Sequence, residues 1–132
     1  MSTVTDNAEL IRRGYEAFNA ADVATLSQLF AEDVTWSTPG DSPVAGLAEG
    51  QVAVFTRFGH YGGETNGTFR ADLQQVFTGA DGRVIGLHRN TGERNGKALD
   101  VQCCIVFELD GGRVVSGRET FADVDAWDRF WA

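Results

Sequence analysis

Apolar and polar side chains alternate along the second half of the chain and recur every three or four residues along the first sixty. The first pattern is that of half-buried strands, the second that of amphipathic helices. Alternation predicts strands at 68–77, Val84–Arg94, 98–109 and 114–120. Asn95-Gly96 and Asp110-Gly111-Gly112 separate the last three, and Asn-Gly or Asp-Gly between β-rich runs is a strong hairpin signal. Gly79-Ala80-Asp81-Gly82 joins the first strand to the second. Together the four make an antiparallel meander, which must bury one face.

The cover for that face is expected in the first sixty residues. A helix over 6–20 places Leu10, Ile11, Gly14, Tyr15 and Phe18 on one side, with Asp6 and Glu9 in capping-box spacing at its start. Asp22 is placed to cap a second, short helix whose apolar side is Val23, Leu26, Leu29 and Phe30. A short strand follows at 34–37. Thr38-Pro39-Gly40-Asp41 ends it, because proline disfavours helix before it and glycine permits a tight turn. A third helix is predicted over 47–58, with Leu47, Val54, Phe55 and Phe58 facing inward. Gly59-His60-Tyr61-Gly62-Gly63 reads as a flexible loop carrying aromatics at a pocket rim. Asp123 caps a last helix over 124–130, which carries Trp127 and Phe130, with Trp131 just after. Helices first and a meander after, in the order α-α-β-α-β-β-β-β-α, is α+β. A twisted sheet wrapped around a helix makes a cone whose mouth can hold a small molecule.

Composition narrows the partners. At 132 residues the chain is read as one domain spanning 1–132, with residues 1–6 as a polar, flexible tail. The net charge is −8, and the nearest thing to a basic cluster is Arg12-Arg13. Nucleic acid and anionic membrane surfaces are therefore not expected partners, since both need positive charge facing phosphate. With no apolar run long enough to span a bilayer and no signal peptide, a soluble, cytoplasmic protein is expected. Cys103 and Cys104 are neighbours on a strand and point to opposite faces, so they read as small hydrophobes rather than a disulfide. No Cys/His spacing suggests a metal site, and neither metal nor cofactor is expected.

The residues 15–22, Tyr-Glu-Ala-Phe-Asn-Ala-Ala-Asp, and 29–36, Leu-Phe-Ala-Glu-Asp-Val-Thr-Trp, are followed by Pro39-Gly40 and Ala45-Gly46. Later come Gly92-Glu93-Arg94-Asn95-Gly96-Lys97 and the run 106–114. In this order they resemble the nuclear transport factor 2-like superfamily, and within it the SnoaL-like branch that includes polyketide cyclases. Ketosteroid isomerases and limonene epoxide hydrolases are relatives. The resemblance covers nearly the whole chain. It implies a cone-shaped α+β barrel of nuclear transport factor 2-like, cystatin-like type, with N-terminal helices on a curved, mostly antiparallel sheet. It also implies a homodimer through the outer sheet face and a small hydrophobic molecule in the cone. It does not choose among isomerases, cyclases, hydrolases and binding proteins.

Strand parity then selects candidate residues. On 98–109, Leu99, Val101, Cys103, Ile105 and Phe107 share an apolar face that should line the cone; Asp100, Gln102, Cys104, Val106 and Glu108 share the other. Comparison with limonene epoxide hydrolases implies that Gly86, His88 and Asn90, and likewise Gly117, Glu119 and Phe121, point inward. His88 and Glu119 would then enter one apolar chamber, where desolvation and mutual charge perturb both, and both can exchange protons with a ligand. They are the candidate catalytic residues; a satisfied polar contact between strands is the competing interpretation.

Candidate wall residues are Tyr15, Trp36, Thr38, Phe55, Phe58, Asn90, Val101, Cys103, Phe121 and Trp127, and for the aromatics among them a plain core role competes. The epoxide hydrolase machinery of one Arg and two Asp is not intact: Gly86 stands for the Arg, His88 for one Asp and Glu119 for the other. Thr38, before Pro39, stands where steroid isomerases carry their base, and Tyr15 lies one residue from their oxyanion-hole tyrosine. SnoaL-like cyclases use a cavity His and Asp without cofactor, and His88 with Glu119 is the nearest counterpart. The functional expectation is a cofactor-free enzyme doing cyclisation, isomerisation or related lyase or hydrolase chemistry on a small hydrophobic substrate. A ligand-binding domain and a dimerisation module are the alternatives.

Overall fold

A computed structural model describes residues 3–132 as α1 (Thr3–Asn19), α2 (Val23–Leu29), β1 (Phe30–Thr38), β2 (Gly46–Glu49), α3 (Gln51–Gly63), β3 (Arg70–Thr78), β4 (Val84–Arg94), β5 (Lys97–Asp110), β6 (Arg113–Phe121) and α4 (Val124–Trp131). The meander forms as its turns dictate. Asn95 and Gly96 both take positive φ, 50° and 76°, in the two-residue turn that pairs Arg94 with Lys97. Gly111 and Gly112 do the same, at 58° and 78°, between Asp110 and Arg113. Positive φ at both central residues matches the twist of the flanking strands, so each turn sets its hairpin's register locally.

That register lays Gly86, Ile105 and Glu119 in one row across β4, β5 and β6, and His88, Cys103 and Phe121 in the next. The inward and outward sets on β5 fall as alternation predicts, with Leu99, Val101, Cys103, Ile105 and Phe107 buried. Gly86, His88 and Asn90 on β4 and Gly117 and Glu119 on β6 are buried as the resemblance implies, while Phe121 is half-buried. Arg89 and Asp100 pair on the outer face at 2.5 Å. The sheet order is β2-β1-β6-β5-β4-β3, and β1 with β6 is its parallel pair. The sheet is curved and open, with β2 and β3 at its edges, so the expected cone is completed by helices rather than by strand closure.

Two clusters fill the inside. One is centred on Tyr15, Phe30, Trp36 and Phe107, the other on Trp127, Phe130 and Trp131 of α4 with Tyr61 and Phe69. Among the described residues no helix is long and apolar enough to cross a membrane.

Several boundaries differ from expectation, each for a local reason. The expected tail is helical from Thr3, residues 1 and 2 lying outside the described residues; Asp6 sits in the first turn rather than capping it. Burial of Asn7 and Ala8, with Asn7 Nδ2 donating to the Gly82 carbonyl at 3.0 Å, docks this segment on the β3–β4 turn. Residues 46–49 are not helix but β2, an edge strand paired with β1, and Leu47 is 58% exposed. Gly50, at φ 88°, makes the break before α3. Residues 59–63 are the end of α3, not a loop: Val54, Phe58 and Tyr61 share its inner side, and burying that stripe outweighs the weak helix propensity of three glycines. Val23 is exposed and Phe30 opens β1 instead of closing α2, while Asp22 and Asp123 cap as expected.

Candidate functional site

A cavity lies between the inner sheet face and helices α1 and α3. It encloses about 560 Å³ between atoms, counting its open mouth, and about 60 Å³ of this admits the centre of a water molecule. That is room for roughly four or five waters. Two glycines make room for aromatic rings in the cavity wall. A Cβ at Gly86 would come within 2.5 Å of the Tyr15 hydroxyl, and one at Gly117 would overlap the Trp36 ring. The strands thus give way where the aromatics of α1 and β1 lean in.

Polar groups enter the cavity at two poles. At the first, Glu119 is 4% exposed and accepts three hydrogen bonds. Trp36 Nε1 donates at 2.5 Å, Thr38 Oγ1 at 3.1 Å and the Tyr61 hydroxyl at 3.2 Å, all to Oε1. No group among the described residues donates to Oε2. Arg57 Nη1 donates to Thr38 Oγ1 at 3.1 Å, so Thr38 relays between the guanidinium and the carboxylate. Burial raises the Glu119 pKa above its ordinary 4.5; the three donors and Arg57 pull the other way and do not cancel it. Burial, then the charge of Glu119, pushes Tyr61 well above the usual tyrosine value, so it stays a donor.

At the second pole, the Tyr15 hydroxyl lies 2.7 Å from His88 Nδ1, and His88 Nε2 lies 3.0 Å from Asn90 Oδ1. Asn90 Nδ2 donates to the Arg70 carbonyl, which orients the amide with its oxygen toward the imidazole. Nε2 must then carry the proton and Nδ1 must accept from Tyr15. His88 is 2% exposed, and burial lowers its pKa to about 4, so the ring is neutral at pH 7. Burial likewise holds Tyr15 far above its usual range.

His88 and Glu119 therefore border one cavity, but each is bonded to other groups. β5 runs between their strands, and two strand spacings of about 4.8 Å keep them apart. Of the expected wall residues, Tyr15, Trp36, Phe58 and Asn90 line the cavity. Thr38 stands behind Glu119. Phe55, Val101, Cys103, Phe121 and Trp127 do not line it. Phe55 packs on the outer side of Phe30 and Phe58, Cys103 is sealed within the first cluster, and Trp127 stacks on Phe121 at 4.1 Å beside Val101 in the second. Burial pushes the Cys103 thiol far up, which makes it inert.

The profile of the SnoaL-like domain matches residues 11–117. The chain belongs to the SnoaL-like family. Its sequence is 37% identical over 131 residues to an uncharacterized protein of Mycobacterium tuberculosis, covering 98% of this chain and 100% of that one. Bal32a, from a soil-derived mobile gene cassette, is 57% identical and superposes with a TM-score of 0.98 over 99% of this chain and 100% of its own. A protein from Jannaschia described as a SnoaL-like polyketide cyclase shares the fold at a TM-score of 0.79 and 16% identity, with 97% and 93% covered. Solved proteins described as nuclear transport factor 2-like and as cystatin-like have this fold too.

Arg57 and Phe69 were not among the sequence candidates for this SnoaL-like site, and Tyr61 was placed only in an expected rim loop. Tyr61 was legible in principle, because it continues the Val54–Phe58 stripe by three residues. Arg57 and Phe69 carry no signal of their own; only the packing of α3 on β1, and of β3 on β4, brings them in.

Proposed function

We propose that this SnoaL-like protein is a cofactor-independent enzyme that moves a proton on a small, uncharged hydrophobic substrate, with Glu119 as the group that carries it. The observation behind this is the division of labour on one carboxylate. All three donors fall on Oε1, and Oε2 is left without a partner on a cavity wall. When Glu119 is ionised, Oε2 is the basic atom, and the donors on Oε1 take up the charge. When it is protonated, Oε2 is where the proton sits and from which it returns. A pKa raised above the ordinary carboxylate value suits a group that must both take and return a proton. One residue taking a proton from one carbon and delivering it to a second position accomplishes an isomerisation or a cyclisation.

The other pole orients. Tyr15 gives its proton to His88, so toward the cavity its oxygen can only accept, as from a substrate hydroxyl or enol. Among the described residues no cation lines the cavity, and Arg57 is spent on Thr38 and on the Trp36 and Gly46 carbonyls. Anionic substrates would meet no counter-charge there. The bonding of His88 and of Glu119 Oε1 to protein groups favours a second reading, a binding protein without chemistry, and one experiment separates the two. Loss of deuterium from the α-positions of fully α-deuterated cyclohexanone and 1-indanone in ordinary water is followed by proton NMR. The enzyme should speed exchange over buffer, and Glu119→Gln should return it to the buffer rate. Ketones that bind without faster exchange would leave the binding reading standing and remove this one.

A further inference from the structure

Of the eighteen residues lining the cavity, fourteen are buried and four are partly exposed: Leu10, Gly14, Phe18 and Phe58. Three of these stand at i, i+4 and i+8 on α1, one above another on the same side of the helix. The fourth, on α3, has its ring 5.3 Å from that of Phe18 and perpendicular to it. Among the described residues, the partly exposed part of the lining is therefore the Leu10–Gly14–Phe18 row, with Phe58 beside its Phe18 end.

In the middle of the row a side chain is missing. A Cβ built at Gly14 meets nothing within 4 Å, so neither Leu10 nor Phe18 leans into the gap. The contrast with Gly86 and Gly117 is direct, because there the missing Cβ makes room for Tyr15 and Trp36. Gly14 makes room for no protein atom. Glycine is unfavourable inside a helix, and alanine would fit here without contact. Gly59, Gly62 and Gly63 are equally unhindered in α3, but none of them borders the cavity.

We infer that ligands enter and leave between α1 and α3 across Gly14, and that the absence of a side chain there sets the width of what can pass. This rests on the cavity being the ligand site proposed above. Phe18 and Phe58 form the movable side of the portal, since rotating two partly exposed rings needs no backbone change, whereas Gly14 is its fixed gap. Gly14 is thus an access-determining residue, outside the catalytic groups.

The test uses nitrobenzene, a flat, uncharged quencher of tryptophan fluorescence that reports on Trp36 in the cavity wall, with stopped-flow mixing to give both rates. Gly14→Leu should slow association and dissociation together by about tenfold or more, while Kd moves by less than about threefold, because the block lies on the path and not in the seat. Phe18→Ala should speed both. Gly14→Ala should melt no lower than the parent and bind at near-parental rates. A folded Gly14→Leu that binds at parental rates, or that loses affinity through dissociation alone, overturns the portal. If Gly14→Leu does not fold, parental rates in Phe18→Ala overturn it instead. Quenching of the parent that never saturates removes the cavity as a ligand site, and this inference with it; that failure differs from the others because there is then no rate to compare.

Discussion

The two ends of the inner sheet face are built from the same strands and come out opposite. Under α1 the face is hollow, with polar groups at two poles, and Gly86 and Gly117 give way to the rings of Tyr15 and Trp36 in its wall. Under α4 it is packed solid with rings: Trp127 on Phe121 at 4.1 Å, Phe130 on Trp131 at 4.8 Å, and Tyr61 on Trp131 at 5.2 Å. The three tryptophans make the difference concrete. Trp127 and Trp131 are buried with indole N–H groups that have no hydrogen-bond partner among the described residues. Trp36 Nε1 is bonded to Glu119. The packed end tolerates two unpaired donors for the sake of close contact; the hollow end uses its donor to hold a charge. One end supplies stability, the other gives some up for a site.

The strongest way to break this comparison is by truncation. Trp127→Ala should cost about 4–5 kcal/mol, because a fully buried ring among rings leaves a cavity that cannot collapse, and Phe107→Ala about 3 kcal/mol, because Phe107 already borders free space. Urea unfolding of both variants decides it, and equal costs would mean the two ends are equally packed.

A smaller effect separates site from scaffold. Glu119 has a folded pKa raised above 4.5, so its contribution favours the fold below that value and is lost as pH rises through the folded pKa. Glu119→Gln keeps an Oε1 acceptor for all three donors and removes the buried charge. Its stability advantage over the parent should be absent below about pH 4.5, grow as pH rises through the folded pKa, and then stay level. Urea midpoints from pH 4 to 8 measure it. A variant less stable than the parent throughout would make the carboxylate a structural group.

The smallest effect concerns the second pole. His88 is depressed to about 4, so its stabilising contribution is present above 6.5 and is lost as pH falls from there toward 4. NMR should find the ring neutral well below pH 6, and Glu119→Gln should barely move its titration, since β5 separates the two. A large shift in that variant would rejoin the poles into one coupled pair.

How much of this was legible varies with the range of the interaction. The meander, its turns and the inward parity of β5 follow from local signals, namely Asn-Gly, Gly-Gly and alternation, and the structure has them; the inward parity of His88, Asn90 and Glu119 was implied by the family resemblance. The helix caps at Asp22 and Asp123 are equally local. The family resemblance placed His88 and Glu119 in one chamber but not their partners, because strand order decides those. Nothing in the chain announces that β1 lies parallel to β6, and without it Trp36 and Thr38 cannot be matched to Glu119. The glycines in 59–63 pointed to a loop because propensity is read residue by residue, while burial of Val54, Phe58 and Tyr61 acts on the whole helix. Phe55 and Trp127 were indistinguishable from wall residues by type alone, and only the second layer of packing separates them.

The parallel pairing of β1 with β6 also sets an order in time. The donors to Glu119 come from 83, 81 and 58 residues earlier in the chain, each a contact of long loop closure. A nascent chain that has emerged only as far as β5 can hold the hairpins of β3, β4 and β5, with Tyr15, His88 and Asn90 all present, yet it contains no carboxylate for Trp36, Thr38 and Tyr61 to grip. Even with β6 paired to β5, Glu119 lacks the Trp36 and Thr38 donors until β1 docks on β6. The step that completes the sheet is therefore the same step that brings Trp36 and Thr38 to the carboxylate as donors.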